Sequence, residues 1–202
     1  MKNAVSADDD PFERLNRVTR VEDIPMPASL RVIDEHYHTL NLPLFVVGPS
    51  AKLFLSAVHE QTSEPAGRRV VSLTRPGEPT WSLLPLRLGR IRGWTPTLYL
   101  YCICDDPRLI PKLEKHGKDA RGFVVAGPSP TEFDPVFLAV ARLISSNATV
   151  PFAVFGPAPL AEKLSVLTDR QPVAVIAPLA ENALRVLKEI TRPILDSIVS
   201  GA

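Results

Sequence analysis

Gly122-Phe123-Val124-Val125-Ala126-Gly127-Pro128 is a short apolar run that ends in a glycine–proline turn. Pro43–Val47 before Gly48-Pro49 and Pro151–Phe155 before Gly156-Pro157 have the same form. Apolar runs of this length, bounded by turn residues, are typical of strands that are buried on both faces. Segments with helical spacing alternate with them: Ala51–Gln61, Thr131–Ser146, Leu160–Thr168 and Glu181–Val199. This alternation predicts βαβ units around a parallel sheet.

A second pattern adds antiparallel strands to this sheet. Trp81–Leu88 and Thr95–Ile103 are strand-like, and the glycine-containing segment 89–93 joins them. In the later run, apolar and aromatic residues alternate with a period of two, which indicates a strand. We therefore expect an α/β fold: a mixed sheet of about six strands, with one antiparallel hairpin at its edge and helices on both faces.

The segment before the first strand has a different character. Residues 1–27 are polar and contain the acidic run Asp8-Asp9-Asp10. Leu30, Ile33 and Tyr37 have the spacing of one helical face. We therefore divide the chain into an N-terminal arm, 1–42, with a possible short helix over 28–42, and one domain, 43–202.

Composition excludes several classes of protein. Of the 202 residues, 21 are proline and 10 are glycine, and 45% are hydrophobic, which fits a globular chain better than a disordered one. The formal net charge of +1 provides no general attraction to nucleic acid or anionic lipid. The two cysteines, Cys102 and Cys104, are too close for a good disulfide, which favours a cytoplasmic location. No apolar stretch reaches the length of a membrane span.

The hairpin sequence resembles a known family. The segments 84–94 (LPLRLGRIRGW), 98–101 (LYLY) and 187–192 (LKEITR) are similar to those of MglA-type bacterial Ras-like small GTPases. The resemblance covers residues 43–200 and implies a Ras-like P-loop GTPase fold. In that family, a very similar run forms the hairpin beside the switch regions.

The nucleotide-binding positions depart from that family. A phosphate loop has the pattern G-x-x-x-x-G-K-S/T, whereas this chain has Gly48, Ser50, Ala51 and Lys52 over a shortened loop. Cys104-Asp105-Asp106 stands where the family has a Pro-Gly-Gln-like segment. Gly156-Pro157-Ala158-Pro159 replaces the guanine-reading motif. The expectation is a pseudo-GTPase with no catalytic residue, no bound nucleotide cofactor and no metal.

Two alternatives give these residues other chemistry. Lys52 with Asp105 and Asp106 could support an atypical nucleotide site or an enzyme, and a solvated loop without such a role fits the same residues. Cys102 and Cys104 together with His36 and His38 contain enough ligand types for zinc, and a buried, inert cysteine pair fits the same residues.

The hairpin also suggests a partner site. Its basic and aromatic residues are Trp81, Arg87, Arg90, Arg92 and Trp94. Arginine and tryptophan are enriched at protein interfaces, although a solvated hairpin or a nucleic-acid patch fits them too. The family resemblance implies a partner such as a Roadblock/LC7 (MglB-like) dimer or a GTPase, in a bacterial polarity or motility complex. We therefore expect a protein partner and no nucleic acid.

Overall fold

The computed structural model describes residues 32–35, 38–62, 70–73, 79, 81–129 and 134–200. Its strands are β1 (Ile33–Asp34), β2 (Thr39–Val47), β3 (Val71–Leu73), β4 (Trp81–Arg87), β5 (Thr95–Ile103), β6 (Gly122–Ala126), β7 (Phe152–Phe155) and β8 (Val175–Ile176). Its α-helices are α1 (Ala51–Gln61), α2 (Ile110–His116), α3 (Pro135–Ser146), α4 (Ala158–Thr168) and α5 (Ala183–Ser200). Short 3₁₀ turns cover Pro107–Leu109, Gly117–Asp119 and Ala180–Asn182.

The strands form one mixed sheet in the order β3-β4-β5-β2-β6-β7-β8, and β1 pairs with β2. Strands β5, β2, β6, β7 and β8 are parallel, whereas β4 is antiparallel to β5. The predicted antiparallel hairpin is confirmed, but it is not the edge, because β3 pairs with the outer side of β4. Over the described ranges the sheet has eight strands, two more than the sequence predicts.

Helices cover both faces of this sheet, as predicted. Alternate residues of β2 face opposite sides, so Phe45 and Val47 pack with α2, α3 and α4. Leu44 and Val46 pack with α1 and α5 on the other face. The side chains of the central strand β2 are therefore buried on both faces, which explains its continuous apolar run. Within the described ranges, no helix is both long enough and apolar enough to span a membrane.

The helix predicted over 28–42 is wrong where the structure describes that segment. Residues 33–34 and 39–42 are strands, and β2 begins at Thr39 instead of Pro43. Leu40, Leu42 and Leu44 alternate with Asn41 and Pro43, and all of these residues are buried. Pairing with β5 on one side and with β1 on the other extends β2 back to Thr39, so tertiary contacts override the weak helical spacing. Most of the predicted arm, including residues 1–31, lies outside the described residues.

Pro43 occupies a position in central β2 where it costs no ladder hydrogen bond. The carbonyl oxygen of Pro43 accepts a hydrogen bond from the N–H of Arg121 at 2.7 Å, so the backbone polar groups of Pro43 point toward β6. Strand β6 pairs with β2 only from Leu44 onward, opposite Gly122. The missing N–H of Pro43 therefore falls just before that ladder begins, which is where a sheet tolerates proline.

Candidate functional site

The parallel strands end at one edge of the sheet, which we call the carboxyl edge. The loops that follow β2, β5, β6 and β7 meet there, and they hold Gly48–Lys52, Cys104–Asp106, Gly127–Ser129 and Gly156–Pro157. Ligands of open α/β sheets bind at this edge. The structure therefore brings the predicted degenerate phosphate loop and the Asp105-Asp106 pair to the place where a ligand site belongs.

Gly48 packs directly against the neighbouring loop. Its φ is +119°, a value that favours glycine, and a Cβ there would lie 2.5 Å from the carbonyl oxygen of Ala126. A Cβ on Gly127 would meet the ring of Pro49 at 2.8 Å. A Cβ on Gly156 would in turn collide with the carbonyl oxygen of Gly127. The loops after β2, β6 and β7 are thus in close contact with one another.

Hydrogen bonds within the protein use the backbone N–H groups of this loop. The N–H of Gly48 donates to Ile103, and that of Ser50 donates to Ala126, both at 3.0 Å. The N–H of Ala51 donates back to the carbonyl oxygen of Gly48 at 3.0 Å. A phosphate-binding loop points these same groups at its ligand. Here the first two N–H groups hold the loop to the sheet, and the third closes a turn within the loop.

Lys52 follows in the first turn of α1 and is exposed. Its charge acts on the cysteines at the end of β5. A hydrogen bond with Cys102 and, to a smaller extent, the charge of Lys52 lower the pKa of the Cys104 thiol to about 7, although burial opposes them. Cys102 is buried, whereas Cys104 is half-buried. The cysteine pair therefore includes one accessible, ionisable thiol, which the expectation of a wholly buried pair does not describe.

Asp105 and Asp106 have different environments. Asp106 binds Arg108 through two oxygens, with Nη2 to Oδ2 at 2.7 Å and Nε to Oδ1 at 3.0 Å. Its Oδ1 also accepts from the backbone N–H of Arg108 at the start of a 3₁₀ turn. These hydrogen bonds lower the pKa of Asp106. Asp105 is exposed, so the two carboxylates differ in their surroundings.

A cavity of about 320 Å³ opens at the carboxyl edge, between the loop after β2 and the start of α3. Apolar residues form most of its wall, including Val47, Phe137 and Leu160. Its charged groups in the described structure are the carboxylates of Asp105 and Asp134, and Asp134 caps α3 by accepting from the N–H groups of Val136 and Phe137. A wall of this kind favours an uncharged or cationic group over a phosphate.

The predicted partner residues divide into two places. Arg87, Arg90, Arg92 and Trp94 lie where β4 turns back into β5, and we call these four residues the hairpin tip. Arg90 and Arg92 are exposed, whereas Trp94 is half-buried and its ring is edge-to-face with that of His38, with 5.6 Å between the ring centroids. Trp81 lies at the other end of β4, about 20 Å from the tip.

Trp81 belongs to the interior instead of the surface. It is 5% exposed and stacks on the ring of His116 at 5.9 Å. The ammonium group of Lys112 lies over its ring at 5.5 Å. Trp81 therefore fixes α2 against the sheet.

The described residues do not assemble a zinc site. His38 precedes the amino end of β2, whereas Cys102 pairs with Val46 near the carboxyl end of that strand. His36 lies outside the described residues. No group of three or more His, Cys, Asp or Glu side chains converges among the residues that the structure describes.

Sequence reasoning missed two features of the surface. One is the carboxyl-edge cavity, because Asp134 and Phe137 come to it from a helix and only the fold brings them beside Gly48. The other is a groove of about 470 Å³ between the hairpin tip and α5. No family model and no curated protein matches the chain.

Proposed function

We propose that this chain is a pseudo-GTPase: an MglA-like, Ras-like domain that binds no nucleotide and acts as a protein-interaction module. The proposal rests on one observation in particular. The backbone N–H groups of Gly48, Ser50 and Ala51, which a phosphate loop offers to its ligand, donate to carbonyl oxygens of the protein itself.

The topology supports the Ras-like part of this proposal. An antiparallel hairpin, β4–β5, adjoins a parallel set of strands with helices on both faces. The loop of Gly48–Lys52 connects the central strand β2 to α1, where a phosphate loop would lie. The hairpin that carries the family-like sequence is also the hairpin next to β2.

The charge distribution at the carboxyl edge supports the proposal that the domain binds no nucleotide. Lys52 is exposed and is not among the described residues that line the cavity. Asp106 is held by Arg108, and Asp105 places a negative charge in the cavity wall. A nucleotide phosphate would meet carboxylates there without a compensating cation from the described wall.

The hairpin tip is the proposed partner surface. Arg90 and Arg92 are exposed, and Trp94 offers a half-buried aromatic face beside them. Such residues are the usual anchors of protein interfaces. The proposed partner is a Roadblock/LC7 (MglB-like) dimer or a GTPase, in a bacterial polarity or motility complex.

Charge reversal tests this surface. The variant Arg90→Glu/Arg92→Glu is compared with Arg142→Glu, which changes an exposed arginine on α3, on the other face of the sheet. Titration calorimetry with a purified Roadblock/LC7 dimer is expected to give an affinity loss of about tenfold or more for the tip variant only. Equal affinities for the wild type and both variants would exclude the tip as the contact, and no binding by the wild type would exclude this partner.

A further inference from the structure

We propose that the groove between the hairpin tip and α5 binds the acidic segment 8–15 of this same chain. The segment reads Asp-Asp-Asp-Pro-Phe-Glu-Arg-Leu. The inference does not depend on the proposed function, because it concerns a contact within one chain.

The groove has an apolar floor. Half-buried aliphatic side chains from the hairpin, Leu88 and Ile91, face others from α5, Leu184 and Leu195. Four such side chains around a space of about 470 Å³ form a concave apolar surface of the kind that binds ligands and peptides. An occupant must therefore present apolar side chains.

The rim of the groove is basic. Arg92, Lys188 and Arg192 border it and are exposed, and the acidic residue among the lining residues is Asp196. Arg192 also lies 3.7 Å from Glu189 on the same helix, a separation at which an exposed pair contributes little. An occupant must therefore also be acidic.

The backbone holds Arg92 in an unusual conformation. Its φ is +49°, followed by Gly93 at +87°, and Ile91 and Trp94 bond to each other across the turn. These angles fit a type I′ turn, whose first central position favours asparagine over arginine. Arginine thus occupies this position at the groove rim although the turn geometry favours asparagine.

The acidic segment matches both requirements. It contains four carboxylates and one arginine, and Phe12 and Leu15 provide apolar side chains three residues apart. The other parts of the chain outside the described ranges contain no comparable acidic run. Opposite charges on the segment and the rim favour their association.

The segment can reach the groove. The carbonyl oxygen of Val32 accepts from the N–H of Asn41, so the arm joins the sheet beside β2. Leu42 of β2 pairs with Leu98, which lines the groove. The arm thus joins the sheet within about 10 Å of the groove. Residues 16–31 could span about 50 Å when extended.

Photo-crosslinking in the full chain tests the contact. Phe12 is replaced by p-benzoylphenylalanine, and crosslinked peptides are identified by mass spectrometry. The expected product is a monomer in which position 12 is joined to 88–92 or 184–195. A variant with p-benzoylphenylalanine at position 3 is the control for random contact. Its crosslink yield at the groove is expected to be lower than that from position 12.

Removal of positive charge from the groove rim then tests whether that charge attracts the acidic segment. The variant Arg92→Asn/Lys188→Gln is expected to lower the crosslink yield about fivefold, whereas the matched variant Arg142→Gln/Lys118→Gln leaves it unchanged. Added salt is expected to lower the yield as well. Crosslinks between two chains, crosslinks at 48–52 or 104–108, a yield no higher than that from position 3, or a yield insensitive to rim charge would each overturn the proposal.

Discussion

The backbone N–H of Ser50 donates to the carbonyl oxygen of Ala126 at 3.0 Å, which fastens the loop after β2 to the end of β6. In a nucleotide-binding loop this donor would face a phosphate oxygen. Breaking the bond to make room for phosphate would also disturb the contact of Gly48 with Ala126. The loop is therefore an integral part of this edge of the sheet.

Gly48→Ala is expected to destabilise the domain by about 2–3 kcal/mol. The variant must adopt a φ that disfavours alanine, and its Cβ would lie 2.5 Å from Ala126. Urea denaturation measures the change. Gly89→Ala is the control, because a Cβ there meets nothing within 4 Å, and a change below about 0.5 kcal/mol is expected for it. Equal effects at both positions would contradict the described loop packing.

At high salt, which screens the proposed contact of Arg92 with the acidic segment, Arg92→Asn is expected to stabilise the protein by about 0.5 kcal/mol, because asparagine fits the first central position of a type I′ turn. Chemical denaturation measures the gain. Arg90→Asn, at an exposed neighbouring position without positive φ, is expected to give none. A stability loss in Arg92→Asn that Arg90→Asn does not share would count against the turn geometry.

Cys104 is expected to react with iodoacetamide before Cys102 does. The hydrogen bond with Cys102 lowers the pKa of Cys104 to about 7, and Cys102 is buried. The alkylation rate should therefore rise with pH through a midpoint at about 7 and level off above it.

Lys52 contributes to that lowered pKa. Lys52→Gln is expected to move the midpoint of the alkylation profile to higher pH, because a nearby positive charge that favours the thiolate is removed. Lys118→Gln, on the opposite side of the sheet, is the control. A midpoint that both variants leave unchanged would show that Lys52 does not act on this thiol.

His116 is expected to make the folded state less stable below about pH 6.5. Burial lowers its pKa, and its Nδ1 is buried without a hydrogen bond in the described structure. Between the lowered folded pKa and the ordinary value, the unfolded chain binds more protons, so stability falls as pH falls through this range. His116→Phe keeps the stacking on Trp81 and removes the titration. Melting temperatures from pH 7.5 to 5.5 should fall further for the wild type than for this variant, and parallel curves would refute the assignment.

The sequence predicted the parallel strands and most helices because their signals are local. Gly122–Ala126 is a strand as predicted, and Ala51–Gln61 is a helix with the predicted bounds. The extension of β2 back to Thr39 was not predicted, since it depends on pairing with Thr95 and β5. Near Leu40, the sequence fits both helical spacing and strand alternation, and pairing within the sheet determines that a strand forms.

The sites were less predictable than the fold, because they depend on contacts between distant segments. Trp81 looked like a surface anchor from its neighbours, but α2 brings His116 and Lys112 over it. The groove joins Ile91 to Leu195, more than a hundred residues apart. By contrast, the departure of Gly48–Lys52 from the phosphate-loop pattern was readable from the sequence.

Nucleotide binding is the most direct test of the central proposal, that of a pseudo-GTPase. One sample of the purified protein is denatured, and any nucleotide that it releases is identified. The melting temperature of a second, native sample is measured with Mg²⁺ alone and with Mg²⁺ plus about 1 mM GDP or GTP. A micromolar site would stabilise the fold by about 4 kcal/mol at this concentration. In a domain of this size, that corresponds to a rise of about 8–16 °C. The account predicts no released guanine nucleotide and an unchanged melting temperature; released GDP or GTP, or a rise that saturates with nucleotide, would contradict it.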